Sequence, residues 1–439
     1  MNADISCKAD SSHTTFDLNK KQCKQCEARL QKKCFKCLKT YGYSNFASHS
    51  CQPVISDDQH SEKRIRLAIV KDVGFGKGQY AGSLAGFHNG FPRHRCTFVT
   101  GETEEMASYD AIFGGSLVAK DFEIVCILDC VQDVVTMRAE KAADLFSGVD
   151  VLIMGDWANQ RAAEVASVAG VFELFHHLQD LELQHGLRVF PPLEYVWYFS
   201  RKAYYYNRLS LMQGSLPPHA CVIPTMAVPK RGPWKAEVRE FVRSNLAVLK
   251  REFSGRSEHV LKVDCADDSS QLAALLNSRE AFQWMAQPVI EEFAVDYEFR
   301  MYVINGKCTW GTATRAPDLS GGAGFVVERE PVAPGRPLWE TGGGADAARV
   351  AERVVSCIKN DMGHAAKFLR VDMVRRRPQE QHGRSAKRIR QADAWWINEL
   401  EYFGNTFIFF DAFDTPHVLL QEIGTCVVEW MRELITPRI

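Results

Sequence analysis

The sequence predicts an α/β and α+β multidomain protein, with a small parallel α/β domain followed by a larger α+β region. Three observations predict it. Short apolar runs alternate with helical stretches between residues 64 and 190, the pattern of β-α-β units around a parallel sheet. Pro191-Pro192 then stops the preceding helix and opens a new stretch. Beyond it lie alternating strands, two of them joined by an Asn305-Gly306 turn, which predicts antiparallel pairing.

Composition narrows the function classes. At 439 residues the chain is long enough for two or three domains. Its 53 basic and 54 acidic residues nearly cancel, so no overall charge marks it for nucleic acid. No apolar run approaches a membrane span, and Met1-Asn-Ala-Asp-Ile-Ser holds no apolar signal core. The expected location is therefore the cytoplasm, with the nucleus left open. Six of the fourteen cysteines fall within the first 51 residues. That asymmetry fits a reducing compartment and one local metal module better than a disulfide framework.

Residues 1–22 are polar and predict a disordered tail. Residues 23–52 predict a zinc-binding module, with Cys23-x-x-Cys26, Cys34-x-x-Cys37 and His49-Ser-Cys51. Paired knuckles let thiolates grip a tetrahedral Zn2+ in a segment too short for its own core. Two ligand sets fit: Cys23, Cys26, Cys34 and Cys37, or Cys34, Cys37, His49 and Cys51. They share residues, so one mononuclear site excludes the other. Basic residues between the knuckles could meet a protein or nucleic-acid partner, or offset thiolate charge. Residues 53–63 read as a linker.

The parallel domain, residues 64–190, is expected on the strands Ile65–Val70, Phe122–Leu128 and Val149–Met154. Gly74-Phe-Gly76-Lys77-Gly78 reads as a tight strand-to-helix turn, because a phosphate loop needs Ser or Thr after the lysine. Asp72, Asp129 and Asp156 follow strands, where such folds bind ligands.

Residues 191–439 form the second region. A helix over Ser200–Leu209 carries Lys202, and a helix is expected near 235–244. The strand Leu246–Lys250 leads to a small-residue loop with Ser254 and Gly255, able to approach phosphates closely. Gln287-Pro288-Val289-Ile290-Glu291 precedes Asp296 and an alternating strand with Arg300, whose return strand ends at Arg315. Gly321–Gly324 and Thr341–Gly344 are expected as flexible loops that could close over a site. A helix over Ala347–Lys359, a mobile basic insertion at 375–393 and a last helix over Val418–Leu434 complete the chain. The insertion could contact an anionic partner or nucleic acid.

Two apolar strands flank that insertion, one with Asp372, the other with Glu399 and Glu401. Residues two apart in a strand share a face. If the strands pair, three carboxylates meet on one patch, which repels itself unless cations neutralise it. Hard oxygen ligands suit Mg2+ held between protein and nucleotide phosphates.

Taken in order, these pieces resemble the ATP-grasp superfamily over roughly residues 65–435. The resemblance rests on Arg201-Lys202 after the proline joint, Ile223-Pro-Thr225, Lys250 with Ser254 and Gly255, and Gln287-Pro288-Val289-Ile290. Glu298-Phe-Arg300, Arg315, Arg370-Val-Asp372 and Asn398-Glu399 continue it. It implies ATP clamped between two α+β subdomains after a pre-ATP-grasp substrate domain. Lys202 and Lys250 would contact phosphates, Gln287 to Ile290 would line the adenine pocket, and Glu291 or Asp296 would reach the ribose. Arg300 and Arg315 would clamp the transferring phosphoryl group or a substrate carboxylate, and Asp372, Glu399 and Glu401 would hold Mg2+. Glu401 departs from the Asn usual at the last metal position, and Phe403 stands where Pro often precedes the closing glycine. The implied activity is a carboxylate–amine (or thiol) ligase acting through an acyl phosphate. The alternative is an ATP-binding assembly or adaptor protein, its partner surfaces being the cysteine module and basic loop.

Overall fold

The computed structural model describes residues 64–70, 122–128, 130–165, 167–228, 247–253, 260–263, 281–315, 328–362, 366–376, 394–403 and 416–436, with backbone strands within the first 42 residues. The chain divides into two compact units, residues 1–64 with 80–97, and residues 65–79 with 98–439. In the first, β1 (Ala3–Cys7), β4 (Leu30–Cys34) and β5 (Thr40–Gly42) form an antiparallel sheet. Short strands β2 (Phe16–Asp17) and β3 (Gln22–Cys23) pair beside them in sequence. The tail expected to be disordered thus carries strands. β1 pairs residue for residue with a partner far along the chain, Ala3 opposite Cys34, a contact no local pattern announces.

The second unit opens with the expected parallel sheet. Its order is β7-β6-β8-β9, from β6 (Ile65–Val70), β7 (Phe122–Leu128), β8 (Val151–Ile153) and β9 (Arg188–Phe190). β6 is apolar at every position but Arg66 because both its faces are covered, with Leu67 and Ala68 fully buried. Helices α1 (Val131–Val135), α2 (Ala139–Leu145), α3 (Trp157–Glu164) and α4 (Val168–His185) supply the crossovers. α4 ends where Gly186 takes φ +67°, a left-handed cap open to glycine without strain. β9 is the strand the sequence did not predict. At three residues it is too short for periodicity to reveal, and it sits between the helix end and the prolines.

After the prolines, α5 (Leu193–Ser200) and α6 (Lys202–Leu211) replace the single helix expected there. Arg201 breaks them with ψ 72°, so Lys202 stands at a helix start. Two sheets follow. The smaller is antiparallel, ordered β11-β14-β12-β13, from β11 (Met226–Val228), β12 (Ala247–Arg251), β13 (Val260–Val263) and β14 (Trp284–Pro288). The larger runs β10-β19-β18-β15-β16-β17. It contains β10 (Ala220–Val222), β15 (Glu298–Ile304), β16 (Lys307–Arg315), β17 (Glu328–Val332), β18 (Phe368–Arg376) and β19 (Ala394–Tyr402). All its pairings are antiparallel except β10 with β19.

The β15–β16 turn follows from sequence. Asn305 and Gly306 take φ 50° and 79°, the mirror-image turn that matches strand twist. Between β14 and β15 lies the single turn α7 (Glu292–Val295), and α8 (Pro337–Glu340) precedes α9 (Gly344–Met362). α9 buries Ala347, Val350, Ala351, Val354 and Ile358, an apolar stripe at helical spacing. The final helix, α10 (Pro416–Ile435), buries Ile423, Val427 and Met431. Its Trp430 packs edge-on to Phe190 and Tyr195.

Gly342, Gly343 and Gly344 were expected in a flexible loop, and they form a packed corner. A Cβ on Gly342 would stand 2.8 Å from the Leu338 Cα, and one on Gly344 would stand 2.6 Å from a Val332 methyl. The glycines are there because backbone passes too close for any side chain. Gly321–Gly324, the helix near 235–244, the linker and the basic insertion past Arg376 lie outside the described residues.

Candidate functional site

Register sets the site. On β15, β18 and β19, Arg300 pairs with Asp372, Asp372 with Glu399, and Arg370 with Glu401. Paired residues project from one face, so two arginines and three carboxylates share a surface. Glu298 joins them two residues from Arg300. α6 adds Lys202, Tyr205 and Tyr206. The smaller sheet adds Lys250 and Gln287, which share a face because Gln287 lies opposite Val248, two residues from Lys250.

Lys202, Arg370, Asp372 and Glu401 are buried, Lys250, Glu298, Arg300 and Glu399 are half-buried, and most of them are met by an opposite charge. The Lys202 ammonium donates to Glu399 Oε1. Arg370 grips Asp372 with two parallel bonds, Nε to Oδ1 at 2.7 Å and Nη2 to Oδ2 at 2.8 Å, the planar match that only a guanidinium offers. Arg300 Nη2 lies 3.2 Å from Glu298 Oε2. Lys250 Nζ lies 3.3 Å from Asn398 Oδ1 and 6.0 Å from the Tyr206 ring centre. Gln287 Nε2 donates to Thr225 Oγ1 at 2.9 Å.

The protonation states follow from burial and neighbours. For Lys202, burial favours the neutral amine, but Glu399, Glu401 and Asp372 outweigh it and raise its pKa. Lys250 goes the other way: burial lowers its pKa, Glu399 opposes this, and Lys202 adds to it. Burial would lift Glu399, yet Lys202 and Lys250 hold it down at about 2. Burial and the Glu399 charge push Glu401 up to about 8. Asp372 is raised, chiefly by burial and against the pull of Arg370. Adjacent acids driven in opposite directions, in one buried cluster, mark a functional site more often than a structural one.

The predicted residues divide. Lys202, Lys250, Gln287, Arg300, Asp372, Glu399 and Glu401 are brought together. Arg315 is not: alternation along β16 puts it on the face opposite Arg300, its guanidinium 5.1 Å from the Tyr297 ring. Arg300 pairs with Glu298, two residues before it on the same face of β15. Pro288, Val289 and Ile290 follow Gln287 half-buried, Glu291 is exposed and Asp296 half-buried. Ser254 and Gly255 lie outside the described residues, as do Cys26, Cys37, His49 and Cys51 of the expected zinc sets. Cys23 closes β3 and Cys34 closes β4.

Among the described residues, no three His, Cys, Asp or Glu are gathered as a metal site. Asp372 is turned to Arg370 and Glu399 to Lys202, so the acids share a face while cations stand between their oxygens. No helix among the described residues is long and apolar enough to cross a membrane.

Sequence reasoning counted Arg370, Glu298 and Asn398 in the resemblance but gave them no role at the site. Arg370 carried a usable signal, standing two residues before Asp372 as Glu399 stands before Glu401. It also missed a link from the parallel domain within the second unit. Asp156, at the start of α3, accepts a hydrogen bond from the Tyr402 hydroxyl, which Ser200 Oγ reaches at 3.1 Å. Tyr402 is the next residue after Glu401, so the parallel domain touches the strand bearing the acids.

No protein-family model matches the chain, and no curated protein matches it. Solved structures do. A D-cycloserine synthetase superposes with a TM-score of 0.50 at 16% identity, over 83% of this chain and 99% of that one. A D-alanine–D-alanine ligase from Bacillus anthracis, complexed with ATP, gives 0.49 at 12%, over 85% and 99%. An ATP-grasp ligase complexed with a minimal precursor gives 0.42 at 12%, over 83% and 99%. Of these three, only the synthetase reaches 0.50, and at its identity it shows a common fold, not a common reaction. The fold is therefore the multidomain α/β and α+β one that the sequence predicted.

Proposed function

We propose that the protein is an ATP- and Mg2+-dependent ligase that joins a carboxylate to an amine through an acyl phosphate. The observation that carries this is the buried cluster itself. Lys202 and Lys250 come from different elements and meet Arg300, Arg370 and the acids where the smaller sheet reaches the larger one, at the Lys250–Asn398 contact.

The residue types suit both groups, with Asp372 and Glu399 here turned to Arg370 and Lys202. Two lysines suit phosphate oxygens, and three carboxylates on one face suit a hard divalent ion. Lys250 fits in particular: a desolvated ammonium held mainly by a neutral amide gains from an arriving anion. Lys202 and Lys250 would hold phosphates, Gln287 to Ile290 would border the base, and Asp372, Glu399 and Glu401 would hold Mg2+. Bound Mg-ATP supplies a transferable phosphoryl group whose charge the metal offsets. This chain's residues then position and neutralise. Arg370 fixes Asp372, and Arg300 presents a guanidinium to the incoming carboxylate. In the reaction a carboxylate oxygen bonds to the γ-phosphorus as ADP leaves. The amine then bonds to the acyl carbon as phosphate leaves, with one proton released from nitrogen.

The zinc module and the basic insertion remain proposals as partner surfaces. The test incubates the protein with ATP, Mg2+ and pooled acids and amines and measures ADP. Release that requires both an acid and an amine supports the ligase. Tight ATP binding with no release from any pool would leave the adaptor role in its place.

A further inference from the structure

Asn398 is the extra residue on β19. Met373 pairs with Ile397 and Asp372 with Glu399, so the ladder skips Asn398. In a regular strand Asn398 would point away from the face that Glu399 occupies. An inserted residue bends the strand and re-aims its side chain. Asn398 accordingly reaches the charged cluster: its Nδ2 donates to Glu298 Oε1 at 2.8 Å, and its Oδ1 accepts from Lys250 Nζ at 3.3 Å. Chemistry fixes the amide's orientation, since an ammonium has no acceptor and a carboxylate no donor. Glu298 in turn meets Arg300 at 3.2 Å. A continuous path, Lys250–Asn398–Glu298–Arg300, crosses from one sheet to the other.

We propose that Asn398 is a positioning residue, a neutral spacer that aims Lys250 at the nucleotide phosphates and keeps it off the Glu298 carboxylate. The inference rests on the nucleotide reading of this site. A buried ammonium next to a carboxylate pairs with it unless something intervenes. The amide intervenes by satisfying both: it gives Glu298 a donor and Lys250 an acceptor without net charge. Lys250 is then only weakly held, by the amide oxygen at 3.3 Å. Without the amide, Lys250 collapses onto Glu298 and no longer faces the phosphates.

The test is a double-mutant cycle on nucleotide affinity, read by tryptophan fluorescence in full-length protein. Asn398→Ala should weaken Mg-ATP binding about tenfold, the scale of one lost hydrogen bond to a charged group. Adenosine binding should not change. In a Lys250→Met background the same substitution should change Mg-ATP affinity less than about twofold, because the residue through which it acts is gone. Asn398→Ser serves the same cycle if the alanine variant does not fold. Equal losses in both backgrounds, or equal losses for ATP and adenosine, would mean a structural role and overturn the proposal. So would unchanged ATP affinity in Asn398→Ala. Failure of the unaltered protein to bind ATP would overturn the nucleotide reading and this proposal with it.

Discussion

Lys202→Met is the substitution that probes the acidic face most directly. The Lys202 side chain is 9% exposed, and its ammonium is the hydrogen-bonding counter-charge of Glu399. Removing one partner of such a pair costs about 3–5 kcal/mol. The lower end applies here, because Lys250 and Arg370 also face Glu399. Methionine keeps the chain length and apolar stem, so the loss reports charge rather than packing. The variant leaves Asp372, Glu399 and Glu401 short of one cation, and a divalent ion can supply it. A ligand at a hundred times its dissociation constant contributes about 2.7 kcal/mol, which would recover most of the loss. Thermal melts of both proteins, in chelator and in Mg2+, should therefore show a larger magnesium-induced rise in the variant. Mg-ATP affinity should fall, since a phosphate contact has gone. An equal or smaller rise in the variant would refute the assignment of these acids to a cation.

Three further outcomes test the fold around the site. Asp361 on α9 accepts from Arg208 on α6 at 2.9 Å and from Tyr198 at 3.1 Å, and the Arg208 bonds lower its pKa. Its stabilisation is thus present above the unfolded value of about 4 and lost as pH falls through the lower folded value. Asp361→Asn should lower the melting temperature at neutral pH, and the gap should close on acidification. Ile423→Ala on α10, fully buried, should cost about 2–5 kcal/mol in denaturant titrations. Gly344→Ala should destabilise by about 1–3 kcal/mol in the same assay, because its Cβ would stand 2.6 Å from Val332 and 2.8 Å from the Trp339 Cα.

Much of the site was legible because strand alternation carries it. Glu399 and Glu401 share a face at any register, and Asp372 joined them once β18 and β19 paired. Arg315 shows the limit. Its place at the end of a strand was readable, but the face it shares with Arg300 depends on the register β15 and β16 adopt, and that register puts them on opposite sides. Asn398 shows another. Alternation places it away from Glu399, and only the skipped pairing brings it round.

By itself, the sequence determined the class and order of most of its longer elements. Buried strands need continuous or alternating apolar runs, helices need a stripe, and Asn305-Gly306 needs a mirror-image turn. Those are local requirements, written within a few residues. Tertiary structure decided how charges are partnered. Lys202 meets Glu399 at a sequence separation of 197 and Lys250 meets Asn398 at one of 148. Such contacts exist because burial strips water from these groups and forces each to find a partner. Which partner it finds depends on register, a single inserted residue and the start of one helix, and none of these is carried by a local pattern.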